Sequence, residues 1–157
     1  MKTASIQEIK HELSQVTPDQ LAAICIRLAR FKKENKELLT YLLFESFDES
    51  AYLDGVIKSV EEEFAAINRS NLYFVKKSLR KILRTTSRYI RYSGNPEAEI
   101  RLLLHFCRTL KESGIDFEAS PVLVNIFTAQ LKKTAKAIAT LHEDLQYEYL
   151  RELKQLE

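Results

Sequence analysis

Residues 71–92, with the sequence NLYFVKKSLRKILRTTSRYIRY, decide the fold. Apolar residues recur there at steps of three and four, the spacing that places side chains on one stripe of an α-helix. That stripe consists of Leu72, Val75, Leu79, Ile82, Leu83, Thr86 and Ile90. Six basic residues keep the same period half a turn away, with no acidic residue among them: Lys77, Arg80, Lys81, Arg84, Arg88 and Arg91. The pattern predicts an amphipathic helix with one side in a core and these six residues, here called the basic face, in water.

Charge is unevenly distributed along the chain. Residues 65–95 contain eight of the 24 Lys and Arg residues and none of the 22 Asp and Glu residues. The remainder therefore has 16 basic and 22 acidic residues, although the whole chain has a net charge of +2. This distribution suits an acidic partner, but the chain's own acids could equally neutralise the basic face within the fold.

The composition favours long helices with short connections. Only three Gly and three Pro occur in 157 residues, while 45% hydrophobic and 29% charged residues are typical of a globular chain. No segment has the pattern of a strand. We expect an all-α fold of six or seven antiparallel helices, arranged in a bundle or a short stack of helical hairpins. Residues 1–157 are expected to form one domain.

Helix starts in the first third are marked by capping residues. Ser5 with Glu8 predicts a capping box, and Thr17 with Gln20 predicts a second one. Pro18, directly after Thr17, suits the first position of the helix. Residues 18–47 could form one bent helix or two helices, with a break favoured at residues 34–36. The inward side chains are expected to be Leu21, Ile24, Leu28, Phe31, Leu38, Leu39, Leu42 and Leu43.

The later helices have clear boundaries as far as residue 121. Asp48 is a cap candidate, Gly94 and Gly114 are predicted helix ends, and Asn95 and Ser120 each precede a proline. One long last helix is expected from there, with a seam at Val124, Phe127, Leu131, Thr134, Ile138, Leu141 and Leu145. Residues 146–157 would overhang the domain or fray. The seam itself is expected to pack inside the monomer, whereas a homodimer through the last helix or a partner helix would cover the apolar surplus beyond it: Tyr147, Tyr149, Leu150, Leu153 and Leu156.

Several stretches together resemble a bacterial all-helical family that is classed only as a domain of unknown function. They are HELSQVTPDQLAAICIRLARFKKENKELLTYLL, the acidic joint and Lys/Arg-rich helix that follow it, and GNPEAEIRLLLHFCRTLKESG. The resemblance covers most of the chain and implies a bacterial, cytoplasmic helical domain. It implies no activity, cofactor or catalytic residue.

The sequence contains no set of residues that would support catalysis, and we expect no enzyme, no cofactor and no metal. Three isolated glycines cannot build a phosphate-binding loop. Glu8 and His11 have the spacing of a di-iron helix, but the required second copy is missing, so a solvated pair is favoured. His105 and Cys107 are two positions apart on one helix and therefore point to different sides.

The two cysteines and the start of the chain favour the cytoplasm. Cys25 and Cys107 lie in apolar helical stretches and are expected to be reduced and buried. Residues 1–13 have no apolar run typical of a signal peptide, and no stretch has the length of a membrane-spanning helix.

The basic face is the strongest functional feature of the sequence. We expect a non-catalytic interaction or scaffold module that docks an acidic protein partner through it. The alternative is binding of nucleic-acid phosphates by the same residues, with Tyr73 and Tyr92 at its two ends as stacking candidates. A membrane-surface role is disfavoured, because the apolar side of the helix is needed for the core.

Overall fold

The computed structural model describes residues 2–157, and it confirms the all-α class. In that range there are eight α-helices, one short π-helical segment and no strand, so the count of six or seven is too low. The helices are α1 (Ile6–Leu13), α2 (Pro18–Phe31), α3 (Lys33–Thr40), α4 (Glu49–Ala65), α5 (Leu72–Ser93), α6 (Pro96–Glu112), α7 (Pro121–Ile138) and α8 (Glu143–Leu156), with the π-helical segment at Tyr41–Glu45. None of these helices combines the length and the apolar character that crossing a bilayer requires.

The predicted capping boxes are present at α1 and α2. The Ser5 backbone N–H donates to the Glu8 carboxylate at 2.7 Å, and the Thr17 N–H donates to Gln20 Oε1 at 2.9 Å. In both boxes the hydroxyl of the capping residue accepts a backbone N–H in return. These bonds satisfy amide groups that a helix start leaves without a partner.

The chain divides into two compact units, Met1–Glu45 and Ser46–Glu157, here called the first and the second unit. In the first unit, α2 packs on α3, and the two are separated by Lys32, whose backbone is extended (φ −148°, ψ 138°). Residues 18–40 therefore form two helices, with the break just before residues 34–36. That residues 1–157 act as one domain stays a prediction.

The predicted interior of the first unit is wrong in most positions. Side chains expected inside are exposed: Leu21 by 41%, Ile24 by 39%, Leu28 by 53%, Phe31 by 84%, Leu42 by 54% and Leu43 by 61%. The least exposed residues of α2 are Cys25 and Ala29, and Ala29 lies on the side towards α3. Helix α3 therefore packs beside the apolar stripe of α2 rather than on it. Cys25 is only half-buried.

Helix α6 is the centre of the second unit, because α4, α5, α7 and α8 all pack against it. Eight of its residues are nearly inaccessible, and they lie on more than one side of the helix. The full set is Ala98, Ile100, Leu102, Leu103, Leu104, Phe106, Cys107 and Leu110. A helix with buried apolar residues on more than one side belongs inside a domain. The basic helix α5 is therefore one of the layers around α6.

The single long helix predicted after residue 121 is wrong, since α7 ends at Ile138 and α8 begins at Glu143. The turn between them is closed by the Thr140 hydroxyl, which donates to the Ala137 carbonyl at 2.7 Å, and His142 caps α8. This turn lets α8 pack on α6 and α7, and Leu153 and Leu156 are buried. The spacing of the predicted seam continues across the turn, which concealed the break.

Candidate docking surface

Helix α5 is positioned by strong signals at both ends. The Asn71 side-chain oxygen accepts the Tyr73 backbone N–H at 2.7 Å, and Gly94 ends the helix in the left-handed conformation (φ 66°). The inward side is formed by Val75, Leu79, Ile82, Thr86 and Ile90, all buried. The remaining two residues of the predicted stripe lie at its margins, where Leu72 is exposed and Leu83 is half-buried. Burial of the inward side fixes which residues α5 presents to water.

The basic face lies largely on the outward side of α5. Five of its six side chains are exposed: Lys77, Arg80, Lys81, Arg84 and Arg91. Arg88 is half-buried and has interactions within the chain. The cations therefore form a row along α5 that is exposed except at Arg88.

Internal pairing removes only a small part of this charge. Lys81 Nζ lies 3.7 Å from a Glu63 carboxylate oxygen on α4, and the Lys81 side chain is 73% exposed. Such exposed pairs contribute about 0–1 kcal/mol. Among residues 2–157, Lys77, Arg80 and Arg84 have no ion-pair partner. These three residues are the free centre of the basic face.

The two aromatic residues at the ends of α5 differ in availability. Tyr73 is 63% exposed and contacts the exposed ring of Phe74 edge to face, with ring centroids 5.6 Å apart. Tyr92 is half-buried and lies against Tyr89 at 6.2 Å. Only the amino-terminal end of α5 therefore offers accessible aromatic surface next to the cations.

A second group of basic residues, on α6, was not predicted. Arg101, His105 and Arg108 recur at four- and three-residue steps, the signal that could have found them, and they line a cavity of about 250 Å³. Each is matched by a carboxylate on α4 or α8: Arg101 by Asp54 at 3.8 Å, His105 by Glu61 at 3.4 Å and Arg108 by Glu152 at 3.0 Å. The hydroxyl of Tyr149, which also lines this cavity, donates to the Glu97 carboxylate at 2.7 Å. Burial, with Glu97 adding to it, raises the pKa of Tyr149. This group links α4 and α8 to α6.

Burial of the His105 imidazole predicts that the stability of the chain depends on pH. Burial lowers the pKa of His105 below its ordinary 6.5, and the nearby Glu61 carboxylate only partly offsets this. The neutral ring is thus favoured in the folded chain. Its stabilising contribution is fully present above the unfolded pKa and is lost as the pH falls through the folded pKa.

We therefore expect His105→Gln to reduce the loss of stability between about pH 7 and pH 5, measured by urea unfolding at each pH. His11→Gln is the matched control, since the His11 side chain is exposed on α1. Equal pH profiles for wild type and His105→Gln would show that burial of this ring does not contribute.

The other candidates for chemistry have structural roles. The Glu8 carboxylate caps α1, and its hydrogen bonds to Ser5 lower the pKa of Glu8. Burial raises the pKa of the Cys107 thiol to about 12, which keeps it protonated near neutral pH. Within the described residues, no three His, Cys, Asp or Glu side chains come together as metal ligands would.

Comparison with known proteins gives no relative on which to base a function: no family model, no curated protein and no solved structure matches this chain.

Proposed function

We propose that the protein is a non-catalytic interaction module that docks an acidic protein partner through the basic face. The observation that carries the proposal is the exposed row on α5, in which Lys77, Arg80 and Arg84 have no internal counter-ion. Arg88 and Arg91 extend the row towards the helix end. Lys81 takes part as well, because its contact with Glu63 is exposed and easily exchanged.

The physical basis is electrostatic complementarity. Aligned charges on a rigid helix steer an oppositely charged partner and fix its orientation, and each exposed pair adds a modest free energy. Because the inward residues of α5 are buried, the basic residues keep their positions even when no partner is bound. Binding should therefore weaken strongly with ionic strength.

The test is a titration of the full chain with fluorescent poly-L-glutamate at low and moderate salt. The variant Lys77→Glu/Arg80→Glu/Arg84→Glu removes three attractive charges and adds three repulsive ones. We expect it to weaken binding by at least about tenfold, or about 1.4 kcal/mol. All three residues are exposed, so the fold should remain intact by circular dichroism.

A matched control changes the net charge equally at another place. Lys58, Lys132 and Lys136 are also exposed, and their triple replacement by Glu should leave most of the binding intact. Equal losses in the two triple variants would show that net charge, rather than the basic face, attracts the probe. Absence of binding by the wild type at low salt would overturn the proposal.

Nucleic-acid binding by the same face is the second candidate, and the exposed rings of Tyr73 and Phe74 favour it. Aromatic side chains next to cations suit single strands, because bases stack on the rings while phosphates contact the cations. Single-stranded and duplex oligonucleotides should therefore be titrated in parallel. Tight oligonucleotide binding without poly-L-glutamate binding, lost in the α5 triple variant, would assign the face to nucleic acid.

Self-association and location complete the proposal. A homodimer through α8 would use Tyr147 and Leu150, which are exposed, because Leu153 and Leu156 are already buried.

A cytoplasmic location is supported by Cys25 and Cys107, which are both free thiols. Bacterial origin, the antiparallel helix order and membership of the helical family described above stay predictions.

A further inference from the structure

The first unit has helices but almost no interior of its own. Among residues 2–45, Tyr41 is the single buried side chain. Short helices owe most of their stability to packing, and chains of this size seldom build a sufficient core alone. The unit therefore has apolar surface for which a further helix would provide the missing contact.

A groove between α2 and α3 is the concave part of this surface. Its volume is about 680 Å³, and its apolar lining comes from both helices and the π-helical segment that follows them: Ile26, Ala29, Leu39, Leu43 and Phe44. Ile26 is 49%, Leu43 61% and Phe44 66% exposed. A groove between two packed helices matches the shape of a third helix, whose apolar side chains enter it at steps of three and four.

The charged residues that line the groove are all basic. They are Arg30, Lys33 and Lys36, and no acidic residue lines it. Lys33 pairs with Glu37 at 3.4 Å, but its side chain is 78% exposed. Among residues 2–157, Arg30 and Lys36 have no ion-pair partner. The occupant should therefore have acidic residues on either side of its apolar stripe.

The same three cations disfavour a second copy as the occupant. In a symmetric pair of grooves, the same patch of each copy faces the other, so Arg30, Lys33 and Lys36 would face a lining with the same three cations. Like charges brought together in this way oppose association. A foreign helix with carboxylates avoids that cost and gains charge pairs.

We propose that the groove between α2 and α3 binds an acidic amphipathic helix of another protein, with Leu-type side chains on Ile26, Leu39, Leu43 and Phe44 and carboxylates near Arg30, Lys33 and Lys36. All residues of this site belong to the first unit, and none of them belongs to the basic face of α5. The groove gives the protein a second contact surface. It selects a partner by helical shape as well as by charge, whereas the basic face selects by charge alone.

The test uses a labelled peptide of about 15 residues with Leu at alternating third and fourth positions and Glu between them. We expect it to bind the full chain and to become helical on binding. A peptide of identical composition, with the leucines scattered around the helix, should bind at least about tenfold more weakly, and so should a version with Lys in place of Glu.

Two single variants locate the peptide. Leu43→Glu places a charge among the apolar lining residues, and Lys36→Glu reverses a lining charge, so each should weaken binding by at least about tenfold. Leu28→Glu is the matched control, because Leu28 is 53% exposed on α2 but does not line the groove. It should bind the peptide like the wild type.

Several results would overturn the proposal: no binding of the designed peptide, equal binding of the scattered one, or an equal loss in Leu28→Glu. A wild-type dimer that Leu43→Glu dissociates would also overturn it, since a second copy would then occupy the groove. The α5 triple variant should still bind the peptide, so failure of the basic face and failure of the groove are distinguishable.

Discussion

Phe106→Ala should destabilise the second unit by about 3–5 kcal/mol, the usual cost of removing a large aromatic ring from a core. Phe106 is completely buried on α6, and its ring centroid lies 5.3 Å from that of Phe64 on α4. The substitution leaves a cavity at the helix that α4, α5, α7 and α8 all contact. Because whole domains are stable by only about 5–15 kcal/mol, a large part of the folding free energy would be lost. Urea unfolding followed by far-ultraviolet circular dichroism measures the change.

Phe47→Ala is the control, since it makes the same chemical change at a side chain that is 83% exposed. Its effect should stay within about 0.5 kcal/mol. A similar loss in the two variants would contradict the central position of α6.

Gly94→Ala should destabilise the chain by about 1–2 kcal/mol, the cost of placing an L-residue in the left-handed conformation. Gly94 has φ 66° and ends α5, and an added Cβ would meet no heavy atom within 4 Å. The cost would therefore come from the backbone and not from a clash. The midpoint of urea unfolding, with wild-type chain as the reference, gives the difference.

Gly55→Ala is expected to have the opposite sign. Gly55 lies inside α4, and an added Cβ there would also meet nothing within 4 Å, so the close helix contact that a glycine at this position suggests is absent. Alanine in a helix interior is favoured over glycine by about 0.5–1 kcal/mol. If both substitutions shift stability in the same direction, the left-handed conformation of Gly94 does not explain the effect of Gly94→Ala.

Helix boundaries could be predicted where the signals are local. The Ser5–Glu8 and Thr17–Gln20 boxes each span four residues, and the Gly94 end depends on one backbone conformation. The turn between α7 and α8 was missed because Ile138, Leu141 and Leu145 keep helical spacing across it. The acids Glu143 and Asp144, just after His142, are a helix-start signal that could have located it.

Burial was less predictable, because it depends on which neighbour covers which side. The stripe of Leu21, Ile24 and Leu28 is apolar and periodic, yet α3 packs beside it. The same limit applies to the basic face. Its periodicity on α5 can be read from the sequence, but the Lys81–Glu63 contact and the half-burial of Arg88 depend on the tertiary arrangement.

The scarcity of buried side chains in residues 2–45 also has a kinetic and regulatory consequence. Helices with so few tertiary contacts open at low free-energy cost, so their backbone amides should exchange with solvent much faster than those of α6. Part of the free energy gained when a ligand binds there is used to order these helices, which lowers the affinity and makes binding more reversible. Residues 2–45 are therefore suited to short-lived complexes. Small changes in the ligand or in these helices would alter the lifetime of such complexes.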